Sequence, residues 1–326
     1  MANSKWELPP QGQFDKASGI YYQTMTQKEI HERRKKNDII IIPVGSTETH
    51  GPGEPLGEDT FLCTRLAEEV ARVTGCTVAH PICYGAHPYH HVGMPGTVVI
   101  PDKVLIDLLM SVIAGFWNAG FRKQIFLNGH GQEWIIPPAL HAFAKKYQVP
   151  GVFIMLHWWY AAGKHAMDKE HGGPFDTGLV HACEVETSFC KALFPKMVKD
   201  ADLVDVEIKD KYIKGKGHFN DPCLMTDNPI RWWHHVGCLG SEIVWYPEGN
   251  LGPSTKATAE KAKPGVEAVL NYMEKLVNDI LESVPPGTLP PYKDFTHKDS
   301  PEYRDVLKNP GEPGWKNLYT LGFPTL

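Results

Sequence analysis

Six consecutive residues, Ile39-Ile40-Ile41-Ile42-Pro43-Val44, carry neither charge nor hydroxyl. A strand shows successive side chains to opposite faces, so a run apolar at every position has no face to turn to water. It reads as a strand buried on both sides, inside a sheet covered by helices above and below. The next residues reverse that character. Residues 45–60, GSTETHGPGEPLGEDT, bring Glu48, His50, Glu54, Glu58 and Asp59 together without a Lys or Arg. Carboxylates crowded in this way repel one another, and a divalent cation relieves the repulsion. In sheets of this kind, loops leaving the carboxyl ends of strands line the ligand crevice.

The rest of the chain supports the same architecture. Asp59-Thr60 suits a helix cap, with Leu62, Leu66, Val70 and Val73 at helical spacing behind it and Gly75 as a stop. A second strand is expected over 77–82, then a histidine-rich loop over 84–97 containing His87, His90 and His91. Leu105, Leu109, Val112, Phe116 and Trp117 mark a long helix closed by Gly120. A strand over 124–127 runs into Asn128-Gly129-His130-Gly131, followed by a helix over 133–147 and a strand over 151–156. Further helices are expected over 179–193 and 256–282, and a last strand over 241–246. This alternation predicts a three-layer α/β/α fold with a mainly parallel sheet and an active site at the carboxyl ends of its strands.

Residues 1–37 read as an N-terminal arm and 38–283 as the α/β domain, with an insertion at about 205–240. Residues 284–326 form a Pro-rich arm. Pro285, Pro286, Pro290 and Pro291 argue against a helix or central strand there. Its Tyr292, Phe295, Trp315, Tyr319 and Phe323 are unfavourable in water and are expected on the parent domain or a neighbouring subunit.

At 326 residues, 42% hydrophobic and 22% charged, the composition is that of an ordinary globular protein. A net charge of −5 with no dense basic stretch argues against nucleic-acid binding. The amino terminus has no apolar signal core, and no apolar run reaches membrane-spanning length. Seven cysteines without a C-x-x-C pair suit buried, reduced thiols. A cytoplasmic location is the expectation.

Three clusters carry chemistry. On extended chain, Glu48 and His50 are two apart and face one cavity, while Asp59 offers two oxygens that can bridge two ions. Taken alone, these residues equally suit a solvated acidic loop with an Asp cap. His130 leaves a buried strand toward the same edge. His181 and Glu186 lie five apart, so they serve one site only if a helix begins between them.

In order, V-G-S-T-E-T-H-G-P with its downstream Asp, N-G-H, H-x-x-x-x-E-T-S and Ala192-Leu193-Phe194-Pro195 resemble the creatininase (creatinine amidohydrolase) family, across about residues 38–283. The resemblance implies a hydrolase with two adjacent divalent ions, Mn2+, Zn2+ or Fe2+. Glu48, Asp59 and His130 hold one ion, and His50, Asp59 and Glu186 the other. Ions about 3.5–4 Å apart share a hydroxide and polarise a carbonyl. His181 is then the proton shuttle. An upstream segment, Glu170-His171-Gly172-Gly173-Pro174-Phe175-Asp176-Thr177, imitates the shuttle motif of creatininase itself, but the residues after Glu186 continue the family pattern and those after Asp176 do not. The family also implies a homo-oligomer, commonly a hexamer.

This chain departs from creatininase around the substrate. Neutral Gln132 stands where the family has a Glu handling the catalytic water, with Glu133 one place later. Thr177 stands where a tryptophan covers creatinine. Trp158, Trp159, Trp232 and Trp233 are aromatic candidates for a pocket wall. Gln132, Glu133, His90, His91, Trp232 and Trp233 are the substrate-binding candidates. His87, Glu54 and Glu58 also suit hydrogen bonding to a polar ring. Ring-opening of a cyclic amide-like C–N bond is the leading expectation for this small polar substrate. The alternatives are C–C hydrolysis of a cyclic diketone from inositol-type sugar catabolism, a mononuclear-metal lyase or isomerase, and a metal-stabilised binding protein.

Overall fold

The computed structural model describes residues 19–207, 246–291 and 301–321, apart from the side chains of His90 and Glu302. The aliphatic run forms β1 (Ile39–Val44), buried at every position. With β2 (Thr77–Val78), β3 (Lys123–Asn128) and β4 (Val152–His157) it makes a parallel sheet in the order β2-β1-β3-β4. The period-two alternation splits β1 between two cores. Ile39 and Ile41 face one side with Ile125 and Leu127, and Ile40, Ile42 and Val44 face the other with Phe126. Each fully buried isoleucine contributes roughly 1.5–3 kcal/mol.

Helices cover both faces. On the first side lie α2 (Glu58–Thr74), α6 (Glu184–Leu193) and α7 (Ala259–Ser283), and on the second α3 (Asp102–Asn118) and α4 (Ile136–Tyr147). Helix α1 (Gln27–Lys36) opens the described chain with a capping box between Thr26 and Glu29. A short α5 (Trp158–Ala162) leaves β4 directly. Because α2 and α3 pack on opposite faces, the chain winds outward in both directions from β1 and β3. That arrangement opens a crevice at the carboxyl ends of these two strands.

Some expected boundaries move, each for a local reason. The strand expected over 77–82 stops at Val78, because Pro81 has no N–H for the ladder. Pairing resumes only as one bridge between Val44 and Ile82. Helix α4 starts at Ile136, with Pro137 and Pro138 in its first turn. Helix α2 is capped by Gly57 without a side-chain bond, so Asp59 is not the cap. The insertion beyond Glu207 and the strand expected over 241–246 lie outside the described residues, except Tyr246, which is irregular.

The C-terminal arm corrects the sequence expectation. It contains a helix, α8 (Pro301–Leu307), whose Tyr303 and Val306 are buried in the second core. The prolines that argued against a helix lie upstream, and Pro301 occupies a first-turn position where its missing N–H costs nothing. Arg122 donates to the carbonyls of Val306, Leu307 and Lys308, capping the end of α8. Lys123 pairs with Asp38 at 2.6 Å and donates to Pro285 O. Tyr319 is 62% exposed and so does not lie on the parent domain, whereas Leu318 and Leu321 are buried. Tyr292, Phe295 and Phe323 lie outside the described residues.

Two glycines let α2 rest on the strand ends. A Cβ on Gly129 would fall 2.2 Å from the Asp59 carbonyl, and one on Gly45 would fall 2.5 Å from the Thr60 backbone. Neither contact can relax without moving the first turn of α2. Gly129→Ala is therefore expected to cost about 1–3 kcal/mol. Gly115→Ala, on α3 with nothing within 4 Å, should raise stability by about 0.5–1 kcal/mol. Thermal melts of the two variants test this, and equal midpoints would contradict the close approach at Gly129.

Candidate metal centre

The crevice gathers side chains from the loop after β1, the first turn of α2, the histidine-rich loop, the end of β3 and the segment before α6. Glu48, His50, Glu54, Glu58, Asp59, His87, His91, His130, His181 and Glu186 are all buried there. Helix α6 begins at Glu184, between His181 and Glu186, so the loop histidine and the helical carboxylate approach from different directions. Between them Ala182 has φ +45°, a conformation held against its steric cost. Its N–H donates to Glu186 and its carbonyl accepts from Ser254 Oγ at 2.6 Å.

Asp59 divides its two oxygens. Oδ1 lies 3.7 Å from His50 Nε2, and Oδ2 lies 3.2 Å from His130 Nδ1 and accepts from Ser46 Oγ at 2.6 Å. Glu48 Oε2 is 3.0 Å from the same His130 nitrogen. Each histidine has its other nitrogen against a backbone carbonyl: His130 Nε2 against Ala86 O at 3.0 Å, His50 Nδ1 against Glu48 O at 3.1 Å. A ring N–H donated to a carbonyl aims the opposite lone pair at the carboxylates, as metal-ligating histidines require. His181 Nε2 lies 2.7 Å from Thr49 O, and its ring is 4.8 Å from that of His50.

Electrostatics point the same way. Among the described residues, every ion pair formed by Glu48, Glu58 and Asp59 is with a histidine. Burial works against charge on Glu48, but His91, His130 and His181 hold its pKa well below the usual range. Burial likewise opposes charge on His130, yet Glu48 and Asp59 hold its pKa well above normal. Glu58 is raised well above the usual range, by burial first and then by Asp59, Glu186 and Glu54. Burial, opposed by His50 and helped by Asp59 and Glu54, pushes Glu186 up to about 8.

Divalent ions fit what is present. Both oxygens of Glu48, Oε2 of Glu58, Nε2 of His50 and both nitrogens of His87 are buried without a hydrogen-bond partner. Glu48-His87-His130, Glu48-His50-His181 and His50-Glu58-Asp59 each offer three ligand atoms within 4.8 Å of one another. Such mixed nitrogen and oxygen donors suit Mn2+, Zn2+ or Fe2+.

Other sequence candidates brace the cluster, border it or lie away from it. His171 is exposed and pairs with Asp168 at 2.8 Å. Gln132 is buried, with its amide used by Ala86 N, Gly45 O and Asn128 Oδ1, so it braces the strand ends instead of facing substrate. Glu133 is buried, and His91 stands beside Glu48. Glu54 accepts from Thr187 Oγ1 at 2.6 Å and from Cys190 Sγ at 3.1 Å, packed beneath the cluster and not open to a ring. Trp158 and Trp159 belong to the first core and do not wall a pocket. Trp232 and Trp233 lie outside the described residues, as does the side chain of His90. Of the described cysteines, Cys83 is exposed and the others are buried, none in a disulfide.

Sequence reasoning gave His157 no role. It ends β4 in register with Asn128, whose amide donates to its Nδ1 at 3.0 Å, and burial pushes its pKa down to about 4. The available signal was a histidine closing an apolar strand beside the one carrying Asn128.

A family model described as Creatininase: Creatinine amidohydrolase matches residues 23–277. The 3-dehydro-scyllo-inosose hydrolase of Thermotoga maritima is 54% identical over 308 residues, 94% of this chain and 98% of its own length. Among solved structures, Creatininase Mn superposes with a TM-score of 0.64 at 20% identity, over 82% of this chain and 99% of that one. A mutant creatininase of Zn-Zn type gives 0.63 at 20% identity, over 82% and 98%. At these identities the structural likeness speaks for the fold.

The proton pattern has a measurable consequence. An ion entering the crevice displaces the proton that Glu186 holds below about pH 8. Apparent metal affinity should therefore rise with pH through the range below about 8, by up to roughly tenfold per unit for each proton displaced. Titration calorimetry in buffers of different ionisation enthalpy counts the protons released. Affinity independent of pH on the acid side would show that Glu186 is not displaced.

Proposed function

The chain belongs to the creatininase family, and we propose that it is a dinuclear-metal hydrolase that opens a small, polyhydroxylated cyclic diketone at a carbon–carbon bond beside a carbonyl. The observation that carries the two-ion reading is the division of Asp59, with one oxygen toward His50 and the other toward His130. Glu48, Asp59 and His130 form one set of ligands, and His50, Asp59 and Glu186 the other. The 54% identity to an inosose hydrolase moves the reading from a C–N bond to a C–C bond.

When bound, two such ions supply Lewis acidity to a carbonyl oxygen and a nucleophilic water near neutral pH. The chain's own residues do the rest. His181 donates its Nε2–H to Thr49 O, so its Nδ1 is the basic nitrogen that takes up a proton and gives it back. Water adds to one carbonyl carbon, the adjacent ring C–C bond breaks, and its electron pair passes to the second carbonyl as an enolate. His181 takes the proton released by water and delivers it to that enolate, leaving an open-chain keto acid. His87 and His91, beside Glu48, line the approach with polar groups suited to ring hydroxyls. The exposed apolar side chains Tyr84, Tyr89, Val92, Val98 and Val99 support assembly as a homo-oligomer.

The metal-replete chain should convert a polyhydroxylated cyclic 1,3-diketone to an acid one water heavier, and should leave creatinine unchanged. Mass spectrometry reads both, and preferential turnover of creatinine would defeat the C–C reading. His181→Ala should keep its metal and lose about 10²–10⁴ in turnover, while His171→Ala should stay near wild type. Asp59→Ala should lose both ions, and full occupancy in that variant would remove the bridge.

A further inference from the structure

Glu58 lies at the first position of α2, with its side chain 1% exposed. Its oxygens differ. Cys190 Sγ stands 3.0 Å from Oε1 and 3.1 Å from Glu54 Oε2, while Thr187 Oγ1 donates to the other oxygen of Glu54. Oε2 of Glu58 has no hydrogen-bond partner and faces His50 Nε2, itself without one, at 3.6 Å. Asp59 Oδ1 is 3.7 Å from that nitrogen, and the three residues offer ligand atoms within 4.8 Å of one another.

These separations decide between two roles. They are too long for hydrogen bonds. With bonds of about 2.0–2.2 Å, two adjacent ligands of one ion stand roughly 3.0–3.4 Å apart, from six-coordinate to four-coordinate geometry, a few tenths of an ångström inside the spacing seen. Cys190 behaves differently. A sulfur and an oxygen on one ion, with bonds of about 2.3 and 2.0 Å, stand roughly 3.5 Å apart. The observed 3.0–3.1 Å is a thiol hydrogen-bond distance.

Resting on the two-ion reading, we propose that Glu58, through Oε2, is an additional ligand of the ion held by His50 and Asp59, with Cys190 fixing its other oxygen. With Glu186, that ion then has one imidazole and three carboxylates. An oxygen-rich set of this size favours ions that accept five or six ligands, so this position discriminates toward Mn2+ and Fe2+ relative to Zn2+.

The test uses the full chain, with metal content measured after equilibration with Mn2+, Zn2+ or a mixture, and visible spectra recorded after loading with Co2+. Wild type should hold two ions. Glu58→Gln should weaken one of them at least tenfold in Mn2+ and shift the Mn2+/Zn2+ ratio at that position toward zinc, while the other ion is retained. That retained ion also reports that the variant is folded. Glu58→Asp, which keeps the charge but withdraws it, should show the same selective loss. Cys190→Ser should keep both ions, and the cobalt protein should lack a sulfur charge-transfer band. Unchanged affinity and selectivity in both Glu58 variants, or equal weakening of Mn2+ and Zn2+, would overturn the proposal, and so would a cobalt–sulfur band. A wild-type chain with one ion would defeat the two-ion reading instead, and the response of that ion to Glu58→Gln would still decide whether Glu58 is a ligand.

Discussion

Buried negative charge without lysine or arginine partners is the constraint around which this molecule is built. Two like charges a few ångströms apart repel far more strongly in a protein interior than in water. Glu48, Glu58, Asp59 and Glu186 are nevertheless packed together and buried at the carboxyl ends of the strands. Histidines offset this charge only in part: Glu48 and Asp59 raise the pKa of His130 against its burial, while burial lowers that of His87. Glu58 and Glu186 respond by holding protons. A cation entering such a site exchanges with those protons.

The scaffold sustains that arrangement by fixing backbone first and side chains second. Gly45 and Gly129 let the first turn of α2 press on the ends of β1 and β3. Gln132 ties both strand ends to the loop at Ala86. Carbonyls of Glu48, Thr49 and Ala86 then orient His50, His181 and His130. The ligand geometry thus comes from peptide groups that cannot rotate away, which lowers the entropy lost when a ligand is bound.

How much of this was legible depends on distance along the chain. The six-residue aliphatic run, the glycine stops and the strand–helix alternation are local, and they carried the layer architecture and the parallel sheet. The crevice residues were legible as ordered motifs whose spacing survives in sequence. Contacts between segments far apart were not. The packing of Cys190 and Thr187 against Glu54 and Glu58 joins residues more than 130 positions apart. The positive φ at Ala182, which frees His181 from α6, leaves no compositional trace because alanine normally favours the helix. The docking of α8 was hidden by prolines that lie just before it.

The clamp between β3 and the C-terminal arm bears on how the protein is made. Arg122 and Lys123 bond to carbonyls 162 to 186 residues later, and Asp38 accepts from Gly287 N across 249. The amino-terminal edge of the sheet is therefore closed by a segment that leaves the ribosome well after the crevice residues. At about 5–20 residues per second, the crevice residues are synthesised many seconds before that edge is sealed. Until then a buried guanidinium lacks the carbonyls that satisfy it. A premature stop or a clip within the arm leaves every crevice residue in place, yet shortens the lifetime of the folded chain from the opposite end of the sheet.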